Sequence, residues 1–374
     1  MSRLEYYLSA AVLRLLGLLF SLLSVRMDRV ALATARTTRL DGNLLHIHRA
    51  LRRLRPNLDV ALVLEPYSYG LRGKLAYALR LVRGMYLLRT SRLVVVDNAY
   101  LPIHVAPHRA ATQVVQVWHA EGALKRFGMD AVHPPDEPER TFLHRNYDWV
   151  VTSGEASRDA WSRALRTPLP NVLALGSPRT DFFFDATAMA EARAEILASY
   201  PALAGRRVLL YAPTFRGRGK GKRPSAGLDA ARLRAALPAS DALVLKTHPN
   251  LDRRLVSTDG FDVIADQRLE LNDLLAAADV LITDYSSSIF DAALLRLRLL
   301  LVVPDLAAYE RDPGLYLDYR TEMIGTQVVD TDGALEALLE DRFDLTPYDG
   351  FIARHLGASD GDASARFVEH FLPA

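Results

Sequence analysis

Short runs of Val, Leu and Ile recur along this chain of 374 residues and alternate with helical stretches. Strands that helices cover on both faces carry continuous apolar runs of this kind, whereas half-exposed strands alternate apolar and polar residues. The alternation therefore predicts βαβ units with parallel sheets, which is an α/β fold. The first series of predicted strands covers residues 59–64, 92–96, 112–118, 149–152 and 172–175, with a basic helix over 71–90.

A second series of the same kind follows an alanine-rich helical link at residues 186–200. We predict two doubly wound, Rossmann-like domains, residues 31–185 and 186–374, that face a cleft. Ligands of such sheets bind at the carboxyl ends of the strands. The second series consists of strands at 207–211, 242–246, 262–264, 280–283 and 299–303, with helices at 271–278 and 287–297.

Composition excludes several classes of protein and of site. Half of the residues are hydrophobic, which suffices for a packed core, and neither glycine nor proline is enriched, so the chain is neither disordered nor fibrous. The chain has no cysteine, which excludes disulfides, thiol catalysis and cysteine-ligated metals. Neither a G-x-G-x-x-G turn nor a G-x-x-x-x-G-K-[ST] loop occurs, so a dinucleotide site and a P-loop are unsupported.

The amino-terminal segment, residues 1–30, contains the apolar run YYLSAAVLRLLGLLFSLLSV at residues 6–25. The run is long enough for a membrane span, but Arg14 in its middle disfavours insertion across a bilayer. Residues 1–55 also hold ten arginines against three acidic residues, and a basic end attracts anionic surfaces. We therefore predict an amphipathic helix that lies on the cytoplasmic face of the membrane; a buried core helix and a true span are the alternatives.

A histidine with catalytic potential follows the predicted strand at residues 112–118. Trp118 and His119 stand where this strand ends and the next segment begins. A histidine on such a turn can act as a general base near neutral pH. A turn histidine with a purely structural role is the alternative.

Two basic segments end strands of the second series. Thr214 and Arg216 follow the strand at 207–211, and Lys246 and His248 end the strand at 242–246 before a proline. Arginine gives bidentate contacts to phosphate, and a cation beside an imidazole suits a pyrophosphate or a leaving phosphate. Structural turns and a solvated loop are the alternatives, the latter above all for the loop cations Arg218, Lys220, Lys222 and Arg223.

A run of hydroxyl groups follows the predicted strand at 280–283. Asp284 is followed by Ser286, Ser287 and Ser288, and a helix begins directly afterwards. The free backbone N–H groups of a helix amino terminus, together with hydroxyl donors, bind anions. Ordinary capping is the alternative, but it needs only one serine. We therefore predict an anion site here, with Asp284 positioning the turn.

Taken together, these motifs resemble the CDP-glycerol glycerophosphotransferase family of teichoic acid synthesis. The family's pattern runs W-H-G, G-x-P-R-x-D, A-P-T-x-R, H-P and L-I-T-D-Y-S-S, and Asp305 and Tyr309 resemble its carboxy-terminal motif. The family's glycine after the histidine is Ala120 here, followed by Glu121, so the turn and the acceptor preference can differ. The matching segments, which lie in order between about residues 95 and 345, are 118–120, 176–181, 212–216, 248–249 and 281–287.

The resemblance implies a GT-B-like fold, with acceptor binding at residues 31–185 and CDP-alditol binding at 186–374. It implies transfer of glycerol phosphate, or a related alditol phosphate, from CDP-glycerol or CDP-ribitol to a hydroxyl of a polyprenyl-diphosphate-linked saccharide at the membrane surface, with release of CMP. It implies no cofactor and no catalytic metal. The catalytic residues are then His119, as the base, and His248; the donor-binding residues are Thr214, Arg216, Lys246, Asp284, Ser286, Ser287 and Ser288.

Two other functions remain open at this point. A GT-B glycosyltransferase that uses a nucleotide sugar has the same fold, and only the released nucleotide separates the two reactions. The other alternative is a non-catalytic membrane or nucleic-acid binding protein built on the basic amino-terminal third. Binding of nucleic acid is disfavoured, because the sequence has no basic stripe interleaved with aromatic residues and no nucleic-acid binding motif.

Overall fold

The computed structural model describes residues 3–64, 70–131, 137–217, 221–225, 227–248, 251 and 253–373. The chain forms two compact units. The first combines Met1–Asp181 with His355–Ala374, and the second is Phe182–Arg354. Each unit is built around a parallel sheet of six strands.

The first unit contains strands β1 to β6 in the spatial order β2-β1-β3-β4-β5-β6. Leu32 of the interior strand β1 pairs in parallel register with Leu62 of β2 and Val95 of β3. The strand order reverses between β1 and β3, which is where ligands of doubly wound sheets bind. Its elements are α1 (Arg3–Phe20), β1 (Arg26–Thr34), α2 (Gly42–Leu54), β2 (Asp59–Leu64), α3 (Leu71–Thr90), β3 (Ser91–Val96), α4 (Leu101–Val105), β4 (Gln113–Gln116), β5 (Trp149–Val151), α5 (Arg158–Ala164) and β6 (Val172–Leu173).

The second unit has the strand order β11-β10-β7-β12-β13-β14, with the reversal between β7 and β12. When only the six strands of this sheet are numbered in chain order, their spatial order is 3-2-1-4-5-6, which is the dinucleotide-fold order. Its elements are α6 (Ala186–Ser199), β7 (Arg207–Tyr211), the antiparallel pair β8 (Phe215–Arg216) and β9 (Arg223–Pro224), α7 (Ala230–Ala236), β10 (Asp241–Leu245), β11 (Val263–Ile264), α8 (Leu271–Ala277), β12 (Val280–Thr283), α9 (Ser288–Leu294), β13 (Arg298–Val302), α10 (Leu306–Tyr309), a π-helical turn (Glu310–Gly314), α11 (Tyr319–Glu322), β14 (Thr326–Val328), α12 (Thr331–Leu339) and α13 (Tyr348–His355).

The last helix, α14 (Ala363–Phe371), belongs to the first unit. Phe367 and Phe371 lie in the same hydrophobic core as Leu32, Ile47 and Val95. The predicted second domain covers every residue from 186 to 374, and for residues 355–374 the structure corrects that boundary. Local sequence cannot indicate this return, because an amphipathic helix can cover either sheet equally well.

Strand β1 is the second point at which the structure differs from the sequence analysis. Residues 26–30 were assigned to the amino-terminal helix, but the helix ends at Phe20 and β1 begins at Arg26. The strand starts with exposed polar residues and becomes fully buried only from Val30 onward. Its charged beginning therefore looked like the basic flank of a helix.

Helix α1 lies on the first unit and leaves much of its apolar surface uncovered. Tyr6, Ala10, Leu13 and Gly17, at helical spacing, are buried, and the helix packs against α3 and α4. Its exposed large residues include Leu4, Leu8, Leu15, Leu18 and Leu19, and Leu22 just after the helix is also exposed. The helix is therefore not a buried core helix, and no helix in the described ranges is both long and apolar enough for a transmembrane span.

Arg14, which disfavours insertion, is exposed but contacts the surface of the first unit. Its Nε donates a hydrogen bond to the carbonyl oxygen of Val105 at 2.7 Å, and its guanidinium lies 4.6 Å from the centre of the Phe142 ring. The charge in the middle of the apolar run is thus satisfied by the first unit.

Candidate active site

The residues predicted to carry chemistry follow strands β4, β7, β10 and β12, so each stands at the carboxyl edge of its own sheet. His119 belongs to the first unit. Thr214, Arg216, Lys246, His248, Asp284 and the three serines belong to the second.

His119 is held by the backbone of the neighbouring strand. Its Nδ1 lies 2.9 Å from the carbonyl oxygen of Asp97, directly after β3. A carbonyl oxygen only accepts hydrogen bonds, so Nδ1 carries the proton and Nε2 of the neutral ring is the basic nitrogen. The Trp118 ring stacks on the imidazole with centroids 4.5 Å apart. Trp118 has a φ of +49°, a conformation that is unfavourable for a bulky residue and is common at functional sites.

A buried polar network holds the backbone of Trp118 in this conformation. The N–H of Trp118 donates to Oε1 of Gln116 at 2.8 Å, and Nε2 of Gln116 donates to the Tyr147 hydroxyl at 3.0 Å. That hydroxyl also contacts His104 at 2.9 Å and His144 at 3.2 Å. Burial, with a smaller effect of His144, holds the pKa of His104 well below its usual value, so His104 is neutral in this network.

Asp97 brings a buried carboxyl group to the same edge. Its side chain is 2% exposed and lies 3.5 Å from Nε of Arg36, which follows β1. Burial raises the pKa of Asp97 to about 6, although Arg36 and the Thr34 hydroxyl act in the opposite direction. Sequence reasoning missed Asp97, and the available signal was a polar residue directly after the apolar strand RLVVV.

Asn43 of α2 joins the histidine turn to the segment at residues 176–181. Its Nδ2 donates to the carbonyl oxygens of Val117 and Trp118 at 3.2 and 3.1 Å. Its Oδ1 accepts from the Ser177 hydroxyl and from the N–H of Arg179. One buried amide thus fixes both segments of the motif pattern.

Glu121, which follows the Ala120 that stands in place of the family's glycine, is buried at the same turn. Its Oε1 accepts from Nε of Arg179 at 2.9 Å, and its side chain is fully buried. The N–H of Gly122 donates to the Ser153 hydroxyl at 3.1 Å. Glu121 therefore forms an internal ion pair with the arginine of the G-S-P-R motif.

Asp284 is the centre of the edge in the second unit. Its carboxylate accepts from the N–H and the hydroxyl of Thr214 at 2.8 and 3.0 Å and from Nη1 of Arg216 at 2.9 Å. Its backbone carbonyl accepts from the Tyr319 hydroxyl at 2.6 Å. The aspartate therefore ties the end of β7 to the end of β12 at the reversal of strand order.

Arg216 joins two carboxylates and two aromatic rings. Besides Asp284, it binds Asp305 with Nε at 2.7 Å and Nη2 at 3.1 Å. Its guanidinium lies about 5 Å from the ring centres of Tyr285 and Tyr309, which stack on each other. Burial lowers the pKa of Arg216, but the hydrogen bonds to both carboxylates outweigh it and raise the pKa above its usual value. The hydrogen bond from Arg216 in turn holds the pKa of Asp305 below its usual value.

Lys246 is buried and directed at the loop after β11. Its Nζ donates to the carbonyl oxygens of Asp266 and Leu269 at 2.9 and 2.7 Å. This geometry fixes the loop that leads into α8.

His248 lines a cavity of about 400 Å³ in the second unit. Its ring meets Phe215 edge to face, with centroids 4.9 Å apart. Ligand cavities in proteins measure roughly 300–1,000 Å³, so this one has room for a small ligand. Polar groups on its wall include Thr214, Ser225, Asp229, Thr247 and Ser257, and the apolar groups include Tyr211, Leu228, Leu251 and Phe261.

The three serines have different environments. Ser288 is buried and bonds to the Ser286 hydroxyl at 2.8 Å, whereas Ser286 and Ser287 are half-buried. Ser287 occupies the N-cap position of α9, which has only seven residues, without a capping hydrogen bond from its side chain. Ser286 and Ser287 are therefore the two that a ligand can reach.

Three of the predicted loop and turn residues cannot be placed, because Arg218, Lys220 and Pro249 lie outside the described residues. Lys222 lies 4.8 Å from the centre of the Phe215 ring, and Arg223 is exposed.

A larger, open cavity of about 550 Å³ lies at the amino ends of strands β7, β12 and β13. Its arginines pair with Asp341 or with backbone carbonyls. This edge is opposite to the one where ligands of such sheets bind. Within the ranges that the structure describes, no three His, Asp or Glu side chains are grouped closely enough to hold a metal ion.

Comparison with known proteins agrees with the motifs. The sequence model described as CDP-Glycerol:Poly(glycerophosphate) glycerophosphotransferase matches residues 16–372. The chain is 33% identical over 368 residues to the teichoic acid ribitol-phosphate primase of Bacillus spizizenii, covering 95% of this chain and 94% of that protein. It is 26% identical over 326 residues to the teichoic acid glycerol-phosphate primase of Bacillus subtilis, covering 85% and 81%.

Among solved structures, the wall teichoic acid polymerase TagF superposes with a TM-score of 0.76 at 18% identity, covering 99% of this chain and 97% of that one. This likeness confirms the predicted α/β fold with parallel sheets. The match of the family model over nearly the whole sequence confirms the resemblance drawn from the motifs. The chain belongs to the CDP-glycerol:poly(glycerophosphate) glycerophosphotransferase family.

Proposed function

We propose that this protein transfers an alditol phosphate from a CDP-alditol to a hydroxyl of a lipid-linked saccharide, with release of CMP. The observation that carries the proposal is the group around Asp284, which joins Thr214, Arg216 and the serine turn at the strand reversal of the second sheet. In doubly wound sheets this is where a nucleotide binds. One solved structure of TagF contains CDPG according to its name, which supports a CDP-linked donor here.

His119 is the general base of the proposed reaction. The acceptor hydroxyl gives its proton to Nε2 while its oxygen bonds to the phosphorus that carries the alditol. The bond between that phosphorus and the oxygen of CMP breaks, and CMP leaves with the bonding electrons. The contact of Nδ1 with the Asp97 carbonyl sets the tautomer that this role requires.

The donor pyrophosphate binds at the turn formed by Ser286 and Ser287, with His248 beside it. Catalysis of phosphoryl transfer consists mainly of positioning and charge stabilisation. Arg216 already binds two carboxylates, so its part in donor binding is to fix the turn and to neutralise Asp284 and Asp305. Thr214 supports the same site through the Asp284 carboxylate, and Lys246 supports it through the backbone of the loop after β11.

Two relatives support a choice of the first donor to test. The chain covers 94% of a ribitol-phosphate primase and is more similar to it than to the glycerol-phosphate primase. We therefore propose a primase, and CDP-ribitol is the first donor to test, with CDP-glycerol second. The site residues, the independence of metal and the identity of the acceptor all belong to this proposal.

The same proposal places the protein on the cytoplasmic face of the membrane. Helix α1 exposes leucines along most of its length, and Leu75 and Leu79 of the neighbouring helix α3 are also exposed. Lys74 and Glu5 pair between the two helices. An exposed apolar helix face with basic residues around it suits a position in the plane of the interface.

A donor screen tests the proposed reaction. Purified protein, a lipid-linked acceptor analogue and detergent are combined with CDP-ribitol, CDP-glycerol and a panel of UDP-sugars, with and without EDTA. We expect CMP release from a CDP-alditol that requires acceptor and persists in EDTA. Release of UDP from a UDP-sugar, with both CDP-alditols inert, would make the chain a sugar transferase.

Histidine variants in the same assay test the site. Replacing His119 or His248 by Asn should reduce turnover by about 100-fold or more, which is the usual size of a general acid or base contribution. His370→Asn is the matched control, because His370 is exposed on α14. Near-normal turnover of both His119→Asn and His248→Asn contradicts the assignment.

A further inference from the structure

Arg89, in the last turn of α3, lies flat beneath helix α1. A Cβ atom at Gly17 would stand only 2.9 Å from its Nη2 and 3.1 Å from its Nε. Glycine at position 17 is therefore what allows the guanidinium to fit under the helix.

This guanidinium has no charge partner of opposite sign in the described part of the chain. Arg89 is 7% exposed, and its Nε makes no hydrogen bond there. The charged group that acts on it is another cation, Arg109, and burial together with this repulsion lowers the pKa of Arg89. Buried charges in folded proteins are normally paired and hydrogen-bonded. A buried arginine beside a second arginine is thus an arrangement that lacks an anion.

The surroundings indicate which anion it lacks. Arg109 donates through Nη1 to the carbonyl oxygen of Leu23, just after the end of α1. Around this point the side chains of Leu18, Leu19, Leu22 and Leu23 are exposed, Leu22 by 85%. A phospholipid presents the complementary pattern, because its phosphate is attached to acyl chains.

We propose that Arg89 and Arg109 form a binding site for the phosphate group of an anionic phospholipid at the carboxyl end of α1. The proposal rests on the membrane-surface position given under the proposed function. Arginine binds phosphate through two parallel N–H donors, and such bonds are stronger where water is excluded. The exposed leucines enter the acyl region while the phosphate reaches the guanidinium from the headgroup level.

The test compares two arginine variants in vesicle sedimentation of the full chain. Arg89→Met and the control Arg53→Met each remove one charge, and Arg53 is exposed on α2. On phosphatidylcholine vesicles that contain phosphatidylglycerol, Arg89→Met should weaken binding about tenfold or more, as for the loss of charged hydrogen bonds. Arg53→Met should weaken it about fivefold or less, as for one surface charge. Equal losses for the two variants overturn the proposal.

The thermal midpoint without lipid separates a binding site from a structural cap. Arg89→Met should leave the midpoint unchanged or raise it, because it removes an unpaired buried charge. A lowered midpoint together with unchanged vesicle binding means that Arg89 only caps α1, and it overturns the proposal. If Arg89→Met does not fold, Arg89→Lys keeps the charge but loses the planar fork, and it should show the same selective loss.

Two further experiments identify the source of the phosphate and distinguish failure of this proposal from failure of the proposed function. In the first, inorganic phosphate is added and the thermal midpoint is measured. If phosphate raises the midpoint of the unaltered protein but not that of Arg89→Met, and the two proteins bind vesicles equally, the ligand is free phosphate and the lipid assignment is overturned.

The second uses substitutions at the membrane face and at the arginine. Leu22→Glu should abolish vesicle binding. Arg89→Met should retain turnover on a water-soluble acceptor analogue, and loss of that turnover would contradict a site separate from the chemistry.

Discussion

At the scale of single residues, the Asp284 carboxylate joins the ends of two strands of the second sheet. It is 2% exposed and accepts three hydrogen bonds from residues that follow another strand. The sequence located Asp284 and Arg216 at two strand ends, but it did not identify Asp305 as the second partner of the arginine. Asp305 follows β13 and is 89 residues away from Arg216, and no local pattern reports a contact over that separation.

We expect Asp284→Asn to lower both stability and turnover. The amide keeps the shape but replaces one acceptor oxygen by a donor, which leaves the Thr214 or Arg216 donors partly unsatisfied at a cost of about 2 kcal/mol. Misplacement of the serine turn should reduce kcat/KM for the donor by about 100-fold. Chemical denaturation and CMP release measure the two effects. Asp332→Asn is the control, since Asp332 is 65% exposed, and equal behaviour of the two variants would remove Asp284 from the site.

At the scale of elements, the motif at residues 176–181 turns out to join distant parts of the first unit. Gly176 has a φ of +87°, and a Cβ there would stand 2.1 Å from the carbonyl oxygen of Ala358. Asp181 accepts from the N–H groups of Ala363 and Ser364 and thereby caps α14. The glycine and the aspartate of this motif therefore hold the carboxy-terminal helix, while Arg179 holds Glu121.

We expect Phe367→Ala to destabilise the first unit by about 3–5 kcal/mol, which is typical for truncation of a buried aromatic residue. Phe367 is fully buried and packs against Phe371 with ring centres 4.8 Å apart. All three tryptophans, Trp118, Trp149 and Trp161, lie in the first unit. Their fluorescence during denaturation thus follows this unit alone.

The control for this helix is Phe184→Ala, because Phe184 is 49% exposed and belongs to the second unit. If tryptophan fluorescence gives the same unfolding midpoint for Phe367→Ala as for the unaltered protein, α14 does not complete the first core.

At the scale of the molecule, the buried Asp97 and the half-buried His46 of the first unit give its stability opposite dependences on pH. Burial raises the pKa of Asp97 from 3.8 to about 6, so the folded state holds this proton more tightly. Stability from Asp97 is complete below pH 3.8 and is lost as the pH rises to about 6. Burial lowers the pKa of His46 from 6.5 to about 4, so stability from His46 is present above pH 6.5 and is lost as the pH falls to about 4.

The two effects should nearly cancel between pH 4 and 6, and single variants should separate them. Asp97→Asn should make stability rise with pH in this window and should stabilise the unit at neutral pH by up to about 3 kcal/mol. His46→Gln should make stability fall with pH in the same window. Tryptophan-monitored denaturation across this range measures both slopes, and identical slopes in the two variants would contradict the assignment.

The sequence by itself determined the class of fold, most of the strands and the family. Continuous apolar runs report burial on both faces of a sheet, and the motifs are local, so the structure confirms strands such as β2, β7 and β12 at the predicted bounds. Only the tertiary structure decided that β1 is an interior strand of its sheet and that α14 returns to the first unit. It alone placed Asp305 on Arg216, Asn43 across the histidine turn and Arg89 under α1. These contacts join residues far apart in the chain, and their energy depends on packing that no short segment encodes.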